Sequence, residues 1–206
     1  AMEELPMIYL FSHDSLAVGE DGTTHQPIEQ LSMLRTIPGV KVIRPADSYE
    51  TSLAYQAALS SKKNPTCLIL TRQALPMLPV KDPKGVEKGA YFVKKFEKED
   101  GEILATGSEV SLALESSALL EEKGLRLSVV SLPCLENFDA CTEDYRKSIL
   151  SSPYEKRVSL EMGSTALWGK YAANRIGVDA FGTSGKAEDV LSEYGFTPEK
   201  VAEKIA

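Results

Sequence analysis

Cysteine, histidine and long apolar runs are all scarce in this chain of 206 residues. Its three cysteines, Cys67, Cys134 and Cys141, are odd in number and show no CxxC spacing, which argues against a disulfide framework and a zinc ribbon. Only two histidines occur, so a histidine-rich metal site is not expected. No stretch approaches the roughly 20 consecutive apolar residues of a membrane helix, and no membrane partner is expected.

Basic clusters are also missing. Lys and Arg number 23 against 30 Asp and Glu, which gives a formal net charge of -7 and a pI near 5.0. Proteins that bind nucleic acid are usually basic, so a nucleic-acid partner is disfavoured. Anionic small molecules stay compatible with this charge, because a few local cations can outweigh a diffuse negative surface. No secretory signal pattern opens the sequence, and a cytoplasmic protein is the expectation.

The order of apolar and amphipathic segments predicts an α/β fold of two mostly parallel-sheet units. Residues 1–75 are expected to form the first unit, residues 76–89 a Pro- and Gly-rich linker, and residues 90–206 the second unit. With only three strands, the first unit leaves sheet edges unpaired, so we expect it to be part of a larger domain. Its first strand, at 5–11, has the continuous apolar character of a buried strand.

The other elements follow from hydrophobic periodicity and from cap residues. Further strands are expected at 40–44, 67–71, 90–96, 102–106, 126–131, 157–161 and 178–180. Helices are expected at 28–36, from about 48 to 59, and at 109–123, 142–150, 166–175, 186–194 and 198–205. Asp47 or Ser48 is a candidate cap for the second helix, and Gly124 is well placed to end the third.

A polar, glycine-containing stretch at 12–27 follows the first strand and carries both histidines, His13 and His25. Long loops are often functional, and ligands of α/β sheets bind at the carboxyl ends of strands. Histidine donates to hydroxyl or phosphate oxygens and moves protons near neutral pH, and Asp21 can accept from a hydroxyl. The clustering makes this loop a candidate site, but spacing alone does not separate it from an ordinary capping loop or indicate a reaction.

Five segments, in order along the chain, resemble sequence patterns of the transketolase family. They are HDS with EDGTTHQP at 13–15 and 20–27, LTRQ at 70–73, ATGSEV at 105–110, Glu161 and Gly163 followed by Trp168 and Tyr171, and FG at 181–182 leading to YGFT at 194–197. A single match arises by chance, whereas five in register across nearly the whole chain are specific. Thr23 stands where the family often has proline, which removes a stiffening residue but leaves the flanking motif intact.

The resemblance implies part of an enzyme of the pentose phosphate pathway, which transfers a two-carbon ketol unit between sugar phosphates. It implies that His13 contacts the substrate phosphate and that Arg72 is its cationic companion, since charge-assisted bonds suit phosphate oxygens. It implies that Asp21 accepts from the hydroxyl next to the acceptor aldehyde. His25 is implied to lie near the donor's first hydroxyl and the reacting carbon, which makes it the catalytic candidate.

Transketolases use thiamine diphosphate and a divalent cation, magnesium or calcium. The resemblance implies that the residues for both, a GDG...N-type motif, a catalytic glutamate and stacking aromatics, lie upstream of the HDS loop and outside this chain. We therefore expect no cofactor-binding or metal-binding residues, no bound cofactor, and a fragment that is inactive alone. The implied partners are sugar phosphates, the remainder of a transketolase chain and the second subunit of a homodimer.

Alternatives stay open at this level. Deoxyxylulose-phosphate synthase, another thiamine diphosphate enzyme, shares an EDG-x-TH loop, although the HDS and QP flanks and LTRQ favour transketolase. Residues 90–206 show no convergent His, Cys or metal pattern and are compatible with a non-catalytic assembly module. Residues 182–186 (GTSGK) resemble the tail of a phosphate-binding loop, but Ala180 and Ala187 break that pattern, so an ordinary polar loop is expected.

Overall fold

The eight strands lie in two sheets, one of three strands and one of five. A computed structural model describes all residues, 1–206. In the first sheet every pair is parallel and the order is β1-β3-β2, with strands β1 Ile8–Phe11, β2 Lys41–Ile43 and β3 Thr66–Ile69. Its helices are α1 Gln30–Arg35 and α2 Ser48–Ser60. Of the two candidate caps, Asp47 is the one that caps α2, and it accepts from the Glu50 N–H at 2.7 Å.

The second sheet has the order β4-β6-β5-β7-β8, and only β4 is antiparallel to its neighbour. Its strands are β4 Tyr91–Lys94, β5 Gly101–Ala105, β6 Leu127–Ser131, β7 Arg157–Leu160 and β8 Asn174–Ile176. The helices are α3 Pro83–Lys88, α4 Glu109–Glu122, α5 Leu135–Asp139, α6 Glu143–Ile149, α7 Ala187–Tyr194 and α8 Pro198–Ile205. The expected α/β class with parallel sheets is confirmed. None of these helices has the length and apolar character needed to cross a membrane.

The segment 166–175, expected to be a helix, holds only a single 3-10 turn at Trp168–Lys170 before strand β8 begins. The last strand is therefore earlier than the expected 178–180. Trp168 is 2% exposed, and its indole Nε1 donates to a Glu161 carboxylate oxygen at 2.7 Å. The apolar spacing of this segment reflects that packing, and it is not the face of a helix.

The Pro- and Gly-rich segment 76–89 contains helix α3. The Asp82 carboxylate accepts from the Gly85 N–H at 3.0 Å, and Pro83 occupies the first turn, where its missing N–H is not needed. Val86 of this helix is buried. The segment expected as a linker therefore holds a helix that packs against the protein.

One hydrophobic core is shared by the two units. A cluster of 24 buried residues joins Leu16, Ile28 and Ala46 of the first unit to second-unit residues such as Val110 and Val190. Each unit thus buries apolar side chains against the other, and this burial favours a fixed arrangement of the two. The histidine-bearing stretch at 12–27 lies within this arrangement because Leu16 belongs to the shared core.

Strand β1 is shorter than the expected strand at 5–11, and it lacks the expected burial. Its four side chains, Ile8, Tyr9, Leu10 and Phe11, are between 37% and 56% exposed. Since alternate side chains of a strand point to opposite faces, both faces of β1 are uncovered, and it pairs on one edge only. The expectation of a buried strand was wrong because no element within residues 1–206 covers this apolar run. An exposed apolar edge strand is a template for pairing with another chain.

Leu10→Lys is expected to reduce self-association of the chain, because a charge on an edge strand opposes pairing. Size-exclusion chromatography with light scattering would show a lower apparent mass at equal protein concentration. Leu59→Lys, on α2 where the leucine is 71% exposed, is the matched control and is expected to leave the mass unchanged. Equal effects of both substitutions, or a wild-type chain that stays monomeric at high concentration, would contradict this prediction.

Candidate functional site

Residues 12–27, here called the histidine loop, leave the carboxyl end of β1 and are anchored in the middle. Leu16–Val18 form a 3-10 turn whose three side chains are all buried, and the Ser15 hydroxyl accepts from the Ala17 N–H at 3.4 Å. Near the end of the loop, the buried Gln26 donates from Nε2 to the carbonyl oxygen of Gly19 at 3.0 Å. The loop is therefore held from its inner side.

The two histidine rings line one cleft. His13 Nδ1 lies 2.8 Å from the Ser12 hydroxyl, and His25 Nδ1 lies 2.9 Å from the Thr24 hydroxyl. Both rings are exposed, and no protein group hydrogen-bonds Nε2 of either ring. Each ring is thus oriented by a neighbouring hydroxyl on one side and is free to meet a ligand on the other.

The cleft has a volume of about 410 Å³ and is open to solvent. Beside the polar residues of the histidine loop it is lined by apolar side chains at the ends of β1 and β3, Phe11 and Ile69, and by Phe181 of the second unit. The size and the mixture of apolar wall and convergent polar groups are those of a small-molecule site. The cleft therefore lies at the carboxyl edge of the first sheet, where the sequence predicts it.

The backbone of His13 has a φ of +65°, in the left-handed region that non-glycine residues seldom occupy. Such a residue costs about 1–3 kcal/mol and persists only where its surroundings hold it, which is common at functional sites. The following residue, Asp14, is buried and paired with Arg44. The strained position of His13 is therefore flanked by a fixed ion pair.

Arg44, the residue after β2, is fully buried and bridges the two units. Its Nε and Nη2 lie 2.8 Å and 2.7 Å from Asp14 Oδ2. On its other side, Nη1 donates to the carbonyl oxygen of Thr106 at 2.9 Å. Nη1 and Nη2 both pair with the Glu109 carboxylate. Because Thr106 and Glu109 follow β5, Arg44 connects the carboxyl ends of the two sheets.

Burial and pairing shift the pKa values of this group. Burial raises the pKa of Glu109, and the Arg44 charge opposes only part of that rise. Burial alone would also raise the pKa of Glu161, but the Arg35 guanidinium at 2.8 Å, with Arg44 and the Trp168 N–H, outweighs that effect and holds the pKa of Glu161 below its ordinary value. Burial lowers the pKa of Arg44, yet the adjoining carboxylates outweigh this effect and raise it overall, so Arg44 stays charged.

Asp21 and Arg72 lie outside the cleft that His13 and His25 line. Asp21 is exposed on the histidine loop. Arg72 is exposed beyond the end of β3, and its Nη1 lies 3.5 Å from the carbonyl oxygen of Val18. The structure thus brings the two histidines together and places Arg72 against the same loop.

Residues 181–184 of the second unit contact the histidine loop directly. The Thr23 hydroxyl donates to the carbonyl oxygen of Gly182 at 3.0 Å, and Gln26 Nε2 donates to that of Thr183 at 3.0 Å. Phe181, 74% exposed, lines the cleft. Sequence reasoning missed this contact and the Arg44 network. The FG match at 181–182, the HDS match with Asp14 and the ATGSEV match with Thr106 and Glu109 include these residues, but they do not indicate which of them meet.

Two family models match the chain. The transketolase pyrimidine-binding domain matches residues 1–77, and the transketolase-like C-terminal domain matches residues 89–197. The chain belongs to the transketolase family. The family predicted from the five motifs is thereby confirmed.

Individual transketolases agree with this assignment. That of Bacillus subtilis (strain 168) is 43% identical over 213 residues, which is 100% of this chain and 32% of the relative. The chain thus spans about a third of the length of the curated relatives it matches. A Pichia stipitis transketolase variant has a TM-score of 0.96 at 43% identity, over 100% of this chain and 30% of that chain. A split-gene transketolase described as an inactive beta4 tetramer shares the fold, with a TM-score of 0.80 at 22% identity over 100% of this chain and 67% of that chain.

The transketolase family implies thiamine diphosphate and a divalent cation. Within residues 1–206, no group of three or more His, Cys, Asp or Glu side chains is placed to hold a metal ion. The buried carboxylates nearest the histidine loop, Asp14, Glu109 and Glu161, are engaged by arginines instead. The donor set of this chain therefore does not fit the cation.

Gly182→Ala is expected to disturb the histidine loop, because an added Cβ would lie 1.9 Å from Gln26 Oε1 and 2.9 Å from Leu16 Cδ2. Overpacking of this kind costs about 1–3 kcal/mol of unfolding free energy, measurable by denaturant titration. The NMR signal of the His25 ring should shift as well. Gly185→Ala, whose Cβ would meet only Val190 Cγ2 at 3.2 Å, is the control. A Gly182→Ala chain with the stability and His25 signal of that control would show the prediction to be wrong.

Proposed function

We propose that this chain is the sugar-binding part of a transketolase, which transfers a two-carbon ketol unit from a ketose phosphate to an aldose phosphate, and that it is inactive alone. The observation that carries the proposal is the pair of histidine rings, His13 and His25, in one cleft at the carboxyl edge of the first sheet. Their free Nε2 atoms suit hydroxyl and phosphate oxygens. They stand in the loop that resembles the family's signature.

Relatives support the choice of ligand. A Pichia stipitis transketolase variant 44% identical to this chain is in complex with fructose 6-phosphate, and a further transketolase of that organism, also 44% identical, with sedoheptulose 7-phosphate. Ketose phosphates of this kind carry a dianionic end and a row of hydroxyls. A cleft with imidazole donors and apolar walls is compatible with both features.

We assign the phosphate end to His13 and Arg72. The Arg72 guanidinium makes one contact, at 3.5 Å to the carbonyl oxygen of Val18, so its fork is otherwise unengaged. Arginine offers parallel donors that match phosphate oxygens, and a charge-assisted bond is roughly twice as strong as a neutral one. The two residues follow β1 and β3, which are neighbours in the sheet, and so they emerge at the same edge.

We assign the hydroxyl-bearing part of the sugar to Asp21 and His25. An exposed Asp21 carboxylate accepts from the hydroxyl beside the acceptor aldehyde, which would favour one configuration at that carbon. The Thr24 hydroxyl holds Nδ1 of His25, so Nε2 is the atom that would hold or move a proton at the donor's first hydroxyl.

The remaining parts of the proposal rest on the family. Thiamine diphosphate and magnesium or calcium would be held by the rest of a transketolase chain, and a second subunit would complete a homodimer. We further propose a cytoplasmic enzyme of the pentose phosphate pathway. The uncovered faces of β1 support the need for a covering segment, since a bare apolar strand is otherwise unfavourable.

Complementation tests the proposal. This chain is mixed with the part of the Bacillus subtilis relative that precedes its match, in the presence of thiamine diphosphate and magnesium. We expect ketol transfer from xylulose 5-phosphate by the mixture and by neither polypeptide alone. His25→Ala should assemble equally well but react about 10²–10⁴-fold more slowly, the usual range for a lost proton-transfer group. Turnover by this chain alone, or an assembled but inactive mixture, would overturn the proposal.

Phosphate recognition is tested with fructose 6-phosphate and unphosphorylated fructose on the intact chain. His13→Ala and Arg72→Ala should each weaken fructose 6-phosphate binding about tenfold, because a hydrogen bond to a charged group is lost. Binding of fructose should not change. Arg126→Ala, an exposed arginine beside Asp100, is the control for a general loss of charge. Equal losses for both sugars, or an equal loss in the control, would remove the phosphate assignment.

A further inference from the structure

A buried path of charges leads from the second unit to the start of the histidine loop. Asp14, which follows the strained His13, is 4% exposed and accepts from the Arg44 Nε at 2.8 Å. Arg44 is 0% exposed, so Asp14 has no access to water as an alternative partner on that side. The position of the Arg44 guanidinium therefore determines the position and the direction of the Asp14 side chain.

The second unit sets the position of that guanidinium. Glu109, also 0% exposed, pairs with two nitrogens of Arg44 and accepts from the backbone N–H of Met162 at 3.0 Å and from the Ser108 hydroxyl at 2.5 Å. The carbonyl oxygen of Thr106 takes a further Arg44 donor at 2.9 Å. Glu109 is thus fixed by α4 and by the end of β7. Its bidentate contact in turn fixes the position of the Arg44 guanidinium.

A second buried acid shows what a purely structural contact between the units looks like. Glu50 on α2 is 0% exposed and accepts from the Tyr91 hydroxyl at 2.8 Å and the Ser131 hydroxyl at 2.7 Å, both of the second unit. It makes no hydrogen bond to the histidine loop. Glu109 and Glu50 therefore share a side-chain type and full burial, but Glu50 accepts only from neutral donors, and only Glu109 connects to His13 through Arg44.

We propose that Glu109 is a positioning residue of the sugar site: acting through Arg44 and Asp14, it holds the His13 backbone and ring in the orientation that receives the substrate phosphate. The assignment of the phosphate to His13 rests on the proposed function, whereas the control of His13 geometry does not. The second unit would accordingly take part in substrate recognition from outside the cleft.

The intact chain suits an NMR test because its only histidines are His13 and His25. Their ring signals are recorded for the wild type, Glu109→Ala, the shape-preserving Glu109→Gln, and Glu50→Ala as the matched control. We expect both Glu109 variants to shift or broaden the His13 signal, with Glu109→Ala the stronger, while His25 moves less. Glu50→Ala is expected to lower the denaturation midpoint and leave the His13 signal in place. If neither Glu109 variant moves the His13 signal, or Glu50→Ala moves it equally, the proposal is overturned.

Titration with fructose 6-phosphate extends the test to recognition. Glu109→Ala should weaken binding about tenfold, within the loss that misplacement of a binding group by a fraction of an ångström produces. In an Asp14→Asn background the same Glu109 substitution should add little further loss, because both act on one path. Full additivity of the two losses would contradict a path through Asp14. A wild-type chain whose histidine signals ignore fructose 6-phosphate would instead overturn the sugar-site function and leave the geometric comparison to decide the positioning role.

Discussion

The buried guanidinium of Arg44 holds together parts of the chain that are distant in sequence. It lies where the carboxyl ends of the two parallel sheets meet, with Asp14 on one side and Glu109 on the other. A buried ion pair contributes little net stability, but removal of one partner strands the other and costs about 3–5 kcal/mol. The network therefore contributes little net stability. Its effect is to constrain the relative position of the two sheets and the course of the start of the histidine loop.

The Arg44 network changes how the role of residues 90–206 is interpreted. The sequence left open that they are an assembly module separate from the site, because they contain no cluster of catalytic residue types. In the structure they contact the loop at its start through Arg44, in its middle through the core around Leu16, and at its end through Gly182 and Thr183. A separate module would not need three attachments to one loop, so residues 90–206 support the histidine loop from its inner side.

Local structure was largely predictable from the sequence, whereas contacts between residues that are distant in the chain were not. Asp47 before α2 and the apolar periodicity of α4 encode their own elements, and both helices form as expected. The histidine loop was predicted as a site because both its histidines follow a strand. Nothing local marks Arg44 as buried, since an arginine after a strand is usually solvated. Its burial depends on Glu109, 65 residues later in the chain, and only the fold brings such partners together.

Strand β1 shows the same principle from the other side. Its apolar sequence is typical of a strand that is covered on both faces. Within residues 1–206 both faces are exposed, and β1 pairs along one edge only, with β3. Phe11, the last residue of β1, lines the cleft with the histidines. Any segment that pairs with the open edge of β1 would therefore stand beside that cleft and add to its wall. The inner side of the histidine loop packs against the second unit, whereas its outer side, with His13 and His25, is exposed beside the open edge of β1.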